Sequence, residues 1–566
     1  MDTNKEGIDH NLIVSEDNKV LLGVHDKLII SIIVPYGIEV IGERAFENCW
    51  LLREVVLPDS VKQIKASAFA DCKYLSKINL PEMLTEIESC TFSDCKFLEE
   101  IKIPAKVEKI GRDAFQGCTS LKRVILPPNL TSLESNCFWR CDSLKSIKIP
   151  GKVKALEGHD IFCACKNLQR VELEEGVEKL SAVFWMCKSI KTIVIPNSIT
   201  IINGVVFTHM TALKNVILSK DNSNFVLIDG VLYSKDMKRL IRYFPALHKN
   251  DTAFVIPKSV KFIDQSAFWG CRHLEQVIIP DTVTLIGRWA FENCKKLKRI
   301  VLPKKLKVLE QLTFKDCKSL SEVILPSSLE TIEMMAFSGC DSLQSIYISK
   351  SVKIIDDAFG LDIREFIVSP SNKHFAAIDG VLYDKKITKL IKMPPGRRPS
   401  TFTIPESVKY IEVNAFRCCY CLKHVVFPQG LKGIGYAAFW GCKSLLEVHI
   451  PDKVEFIYDE AFMNCKALKS VKLSNRLKHI GDSAFRECNR LYSITLSTSV
   501  YHIGNISFPE NLKELHVGYK APQNAHLYYY PYFKNEEIAT LYVPKGTKNK
   551  YENDETFGNF KRIVEE

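Results

Sequence analysis

Phenylalanine recurs along this chain with a fixed beat. Phe46, Phe69, Phe92, Phe115 and Phe138 follow one another 23 residues apart, and each is followed three positions later by Cys49, Cys72, Cys95, Cys118 or Cys141. The beat resumes at Phe162, Phe184 and Phe207, then at Phe268, Phe291, Phe314, Phe337 and Phe359, and last at Phe416, Phe439, Phe462, Phe485 and Phe508. A short unit repeated at this period cannot bury its apolar face alone and does so by stacking on its neighbours, so the chain reads as a solenoid. An extended surface, and not a pocket, is then the place to look for function.

One unit shows how the stack is built. In the stretch from Cys72 to Pro81, Ile78 and Leu80 alternate with Lys77 and Asn79, the period of a short half-buried strand. Proline has no amide hydrogen for a ladder, so Pro58, Pro81, Pro104, Pro127, Pro150 and Pro196 end their strands at a constant place. The next stretch, Val107 to Phe115, spaces its apolar residues three or four apart after a turn glycine. It predicts a second short strand followed by a helical or 3₁₀ turn. Phe fills the middle of each coil, and its loss is expected to cost about 3–5 kcal/mol.

Two gaps interrupt the beat and resemble each other. Asn224 to Tyr233 carries Asp229-Gly230 between two β-rich runs, and His374 to Tyr383 carries Asp379-Gly380 in the same way. Asp-Gly between β-formers is a hairpin signal. A weaker copy lies at Asn11 to Leu22. The organisation is therefore a hairpin cap (1–36), a repeat block (37–219), a hairpin insert (220–256), a second block (257–368), a second insert (369–404), a third block (405–520) and a closing cap (521–566). That last cap includes the aromatic cluster Tyr528 to Phe533.

The 77 basic and 66 acidic side chains give a formal charge of +11 with no run of five or six consecutive Lys or Arg, so nucleic-acid binding by a charged tail has no support. The longest apolar run, around Leu28 to Pro35, is too short to span a bilayer. Residues 1–10 lack the basic and apolar regions of a secretory leader, so either the protein stays inside the cell or the chain begins after a removed leader. Phosphate-cradling, zincin, nucleophile-elbow and dinucleotide motifs are missing, and the 13 histidines are scattered. No catalytic residue is assigned, and no cofactor is expected.

Of the 20 cysteines, fifteen sit three positions after a repeat Phe and form one column of small buried hydrophobes. Their parallel Cβ vectors do not suit a bridge. Cys418, Cys419 and Cys421 form the one grouping that raises a zinc site, without the second pair such a site needs. So many free thiols point to a reducing or anoxic setting.

The unit Cys-x-x-Leu-x-x-Val-x-Ile-Pro-x-x-Val-x-x-Ile-Gly-x-x-Ala-Phe, as in Cys271 to Phe291, resembles the BspA-like leucine-rich repeats of bacterial and protozoan proteins over about residues 37 to 520. The Asp-Gly-Val-Leu-Tyr inserts and the segment Tyr542 to Gly546 are similar to features of bacterial members. The resemblance implies a right-handed curved solenoid with a parallel sheet on its concave face, often displayed on the cell surface to bind other proteins.

On that face the outward position of each strand holds Ile125, Lys148, Val194, Ile217, Ile278, Val301, Ile324 and Tyr347 among others, flanked by Arg170, Lys191 and Arg299. An apolar stripe with a cationic border would suit a protein partner with an acidic rim. The alternative is that β-branched residues simply favour strands. Trp139, Trp185, Trp269 and Trp440 share the position after the Phe and are candidate aromatic anchors. The leading expectation is a surface recognition or adhesion protein. Its rivals are an intracellular scaffold or inhibitor using the same face and a carbohydrate-binding module using the tryptophans. Partner identity and oligomeric state are left open.

Overall fold

A computed structural model describes residues 11–522, 539–554 and 557–566. Met1 to His10 and the Tyr528 to Phe533 cluster lie outside the described residues. The chain divides into two compact units, Met1–Lys295 and Lys296–Glu566.

Both units are stacks of coils, and each coil contributes two short strands. The first is the predicted strand before proline, as at Glu100–Lys102 and Arg123–Ile125, which pair in parallel with Ile101 opposite Val124. The second is two residues long, as at Lys109–Ile110, and pairs in parallel with Glu86–Ile87 on one side and Ser132–Leu133 on the other. Between them the proline carbonyl accepts the turn hydrogen bond, from Val107 N to Pro104 O (3.1 Å) and from Leu130 N to Pro127 O (3.1 Å). With no N–H to give, proline stops the strand and its carbonyl closes the turn.

The expected helical or 3₁₀ turn around Phe is replaced by something else. The residues two before and two after the Phe are left-handed: Arg44 and Asn48 around Phe46, Ser67 and Asp71 around Phe69, Cys90 and Asp94 around Phe92. Their amides and that of the Phe all donate to the next coil. Ser67 N bonds Ser89 O (2.9 Å), Phe69 N bonds Thr91 O (2.9 Å) and Asp71 N bonds Ser93 O (2.8 Å). This third ladder outweighs the cost of left-handed backbone at residues with a Cβ. The 3₁₀ turns include Gly204–Phe207, Pro395–Arg397 and Phe557–Asn559, and an α-helix runs over Lys548–Glu552.

Long runs of the repeat Phe stack ring on ring. Phe46, Phe69, Phe92, Phe115, Phe138 and Phe162 are fully buried, with successive ring centroids 5.1 to 5.5 Å apart and nearly parallel planes. Phe416, Phe439, Phe462 and Phe485 repeat this at 4.6, 5.1 and 5.4 Å. Flat rings at such separations pack offset and fill each coil. The cysteine column is free thiol, and it has a job beyond filling space. Cys72 Sγ donates to Phe46 O (3.1 Å), Cys95 to Phe69 O (3.2 Å), Cys118 to Phe92 O (3.1 Å) and Cys465 to Phe439 O (3.2 Å). Each thiol thus joins its own coil to the Phe carbonyl of the coil before. Burial pushes the Cys49 thiol up to about 11 and the Cys419 thiol up to about 12, so both stay protonated and poorly nucleophilic.

Both inserts are three-stranded. Phe225–Ile228 pairs antiparallel with Val231–Ser234 through Asp229 and Gly230, both left-handed, and Arg239–Tyr243 then pairs parallel with Phe262–Ile263. Phe375–Ile378, Val381–Asp384 and Lys389–Lys392 do the same, ending on Tyr410–Ile411. A buried asparagine anchors each one. Asn372 gives its amide to Ser349 O and Val352 O and accepts from His374 N and Phe375 N, and Asn222 makes a similar set with Pro196 O, Asn197 O, Asn224 N and Phe225 N. The N-terminal hairpin, Leu12–Val14 with Val20–Val24, is the last two-thirds of the same motif. Its turn is matched atom for atom, since Ser15 and Asp17 bond Val20 N and Lys19 N as Ser234 and Asp236 bond Arg239 N and Lys238 N.

Candidate binding surfaces

The first strands alternate inward and outward, and their outward residues reach water. Ile125 (56%), Ile217 (49%) and Ile278 (48%) are exposed in the first unit, while Val194 is half-buried. In the second unit Val301, Ile324, Tyr347 and Ile367 stand between 40% and 50% exposed on successive strands, with Val301 opposite Ile324 and Tyr347 opposite Ile367.

Part of the basic border is ion-paired. Lys148 lies 2.6 Å from Glu174, Arg170 is 3.2 Å from Glu172, and Arg299 is 2.8 Å from Glu322. Lys191 donates to Gln169 Oε1 (3.2 Å). Exposed pairs of this kind add little stability but cancel much of the field an acidic partner would feel. The signal was present in the sequence, since partners such as Lys122–Glu99 and Lys77–Glu54 sit one 23-residue period apart.

The tryptophans do not form one surface. Trp269 is buried against His209 (4.4 Å between rings) and offers no face to a ligand. Trp139 is half-buried beside Arg140, and half-buried Trp440 carries the Arg417 guanidinium 4.5 Å above its ring. Trp185 keeps an exposed ring, edge-on to His209. Cys418 and Cys419 are buried while Cys421 is exposed, and among the described residues no three His, Cys, Asp or Glu side chains gather to hold a metal. No helix among the described residues is long and apolar enough to cross a membrane.

Sequence reasoning missed a cleft of about 600 Å³ beside the second insert. Met334, Met335, Ile354, Ile355, Phe359, Phe375, Leu382, Ile391 and Val413 give it apolar walls. Its cause is a shortened coil. Ile332 to Phe337 spans five positions and Phe337 to Ile346 nine, whereas Ile355 to Phe359 spans four and Phe359 to Phe366 seven. The next coil cannot close over the gap, because the insert occupies the second-strand ladder there.

Four polar groups meet in this cleft. Lys392, 8% exposed, donates to Asp357 Oδ1 (2.7 Å) and Asn414 O (3.0 Å). Asn414 Nδ2 donates to Asp357 Oδ2 (3.0 Å), and Arg417 Nη1 donates to Asn414 Oδ1 (3.2 Å).

The sequence matches the family described as BspA type leucine rich repeat region (6 copies) over residues 39–168, 136–227, 246–360 and 398–516. No curated protein matches it. Among solved structures it is similar to a leucine-rich repeat protein from Bacteroides ovatus, at 22% identity over 82% of this chain and 97% of that one, with a TM-score of 0.41. It is also similar to a leucine rich cell surface protein from Faecalibacterium prausnitzii, at 19% identity over 100% and 95% of the two chains and a TM-score of 0.35. A Treponema pallidum (T. pallidum) leucine-rich repeat protein shares 28% identity over 37% of this chain and 91% of that one, with a TM-score of 0.30. Repeating Phe turns, parallel two-strand coils and matched segments covering most of the length together make this chain a member of the BspA type leucine-rich repeat family.

Proposed function

We propose that this chain is a protein-binding solenoid with no catalytic activity of its own, recognising a protein ligand through the outward row of its first strands. The observation that carries this reading is the run Val301, Ile324, Tyr347 and Ile367, four apolar side chains open to solvent on successive strands. Contiguous exposed apolar area of this kind costs solubility and marks interfaces. The ion-paired border turns the partner's expected chemistry toward an apolar, hydrogen-bonding surface and away from a purely acidic one. Recognition at a cell surface, by adhesion, is the first role; the buried free thiols favour a reducing setting and so support an intracellular scaffold or inhibitor as the second.

Affinity capture from the native cells and their surroundings, repeated with Ile324→Asp and Tyr347→Ala, tests the face. A partner retained by the wild-type chain is expected to be lost with both variants while their circular dichroism is unchanged. Equal capture by all three would overturn the reading. Protease treatment of intact cells separates the two roles: digestion supports surface display, and full protection supports the scaffold.

A further inference from the structure

The cleft beside the second insert carries a charge imbalance between apolar walls. Lys392 and Arg417 bring two positive charges to the Asn414 network and Asp357 brings one negative charge. The other lining charges are accounted for: Lys389 lies 2.9 Å from Glu412, and Lys353 lies 2.9 Å from Glu330. Asp356 also lines the cleft but is exposed, where water screens it. The network is therefore one anion short.

The free donors are suited to a carboxylate. Lys392 uses two of its three ammonium hydrogens within the network. Arg417 uses one N–H on Asn414 and sits 4.5 Å over the Trp440 ring, which helps hold the guanidinium in place and leaves other N–H groups for a bidentate acceptor. The walls then decide the rest of the ligand. Aliphatic side chains, two Phe and the adaptable Met334 and Met335 match an apolar body, and a volume of about 600 Å³ is within the range of small-molecule sites. Free phosphate would leave those walls facing water.

We propose that this cleft binds a monocarboxylate with an apolar body of fatty-acid size, its carboxylate held between the Arg417 guanidinium and the Lys392 ammonium. The first insert supplies the contrast. There Arg242 occupies the position of Lys392, is fully buried, and gives its guanidinium to the backbone carbonyls of Ser266 and Trp269, with Trp269 standing where Arg417 stands. A full-length coil seals that side: a Cβ on Gly204 would meet Gln265 O at 2.7 Å and Ile241 O at 3.1 Å.

The test is a fluorescence titration of the full chain with 11-(dansylamino)undecanoic acid, with decanoate, decanol and inorganic phosphate as competitors. Saturable binding at one site is expected, displaced by decanoate, at least about tenfold less well by decanol, and not by phosphate. Arg417→Gln is expected to weaken binding at least about tenfold, the worth of a charge-assisted contact. Val413→Trp, on an exposed wall position, is expected to block the cleft without altering the melting transition. Absence of saturable binding to the wild-type chain overturns the proposal, as does equal displacement by decanol, or unaltered binding by both variants.

Discussion

The two inserts are one motif set on two different foundations. Each has the Asp-Gly hairpin, the anchoring asparagine and a third strand that enters the second-strand ladder. Beneath the first, the coil is complete: Phe207 meets Phe244 edge-on at 5.1 Å, and His209 is wedged 4.4 Å from both Trp185 and Trp269. Beneath the second, the coil has lost residues on both sides of Phe359, and the space is left to a cleft with the Lys392–Asp357 ion pair at its base. The difference teaches that in a solenoid the length of one coil decides between core and cavity. The insert itself is neutral to that choice.

The comparison would be sharpened most by truncating the two phenylalanines. Phe207→Ala removes a ring that is 0% exposed in a closed coil, and is expected to cost about 3–5 kcal/mol in urea denaturation. Phe359→Ala is expected to cost roughly half as much, since one side of that ring, 7% exposed, already borders open space. Equal losses would mean that the cleft does not relieve packing as described.

A smaller effect is expected at the ion pair. Lys392→Met strands Asp357, whose side chain is 28% exposed, and about 2–3 kcal/mol should be lost, somewhat below the figure for fully buried pairs. Adding Asp357→Leu should restore part of it, giving a double-mutant coupling of at least about 1 kcal/mol. No coupling would show that the pair is not a unit.

The smallest effect is a pH dependence confined to the closed side. Burial first, then Lys188 and Arg242, hold His209 down at about 4 from an ordinary 6.5. A histidine depressed in the folded state binds fewer protons there than when unfolded. Its stabilising contribution is therefore complete above pH 6.5 and falls away as pH drops toward 4. His209→Phe should flatten that part of the stability profile of the first unit, and an unchanged slope would contradict the burial of His209.

Much of this architecture was written in the spacing of Phe, Cys and Pro, because a stacking period leaves a mark on every coil. The inserts were legible at Asp229-Gly230 and Asp379-Gly380, where only a few residues tolerate two successive left-handed conformations. The left-handed pairs around most of the repeat Phe were not. Arg44, Leu312 and Met335 adopt positive φ, and nothing in their chemistry favours it; the amide ladder to the neighbouring coil imposes it. The thiol bonds to Phe carbonyls were hidden for a related reason, since a buried Cys reads the same whether or not its Sγ donates. The cleft was countable from the two short intervals around Phe359, but short intervals alone do not say whether neighbouring coils close over the gap.

Everything rests on coils joined to each other through the backbone of the Phe turn. Hydrogen exchange followed by mass spectrometry on the full chain tests this directly, by comparing the turn at residues 66–72 with the first strand at 100–102. Bonded as Ser67, Phe69 and Asp71 are to the coil that follows, that turn should exchange as slowly as the strand. Exchange of the turn at the rate of an unfolded peptide, with the strand still protected, would contradict the stacked Phe ladder.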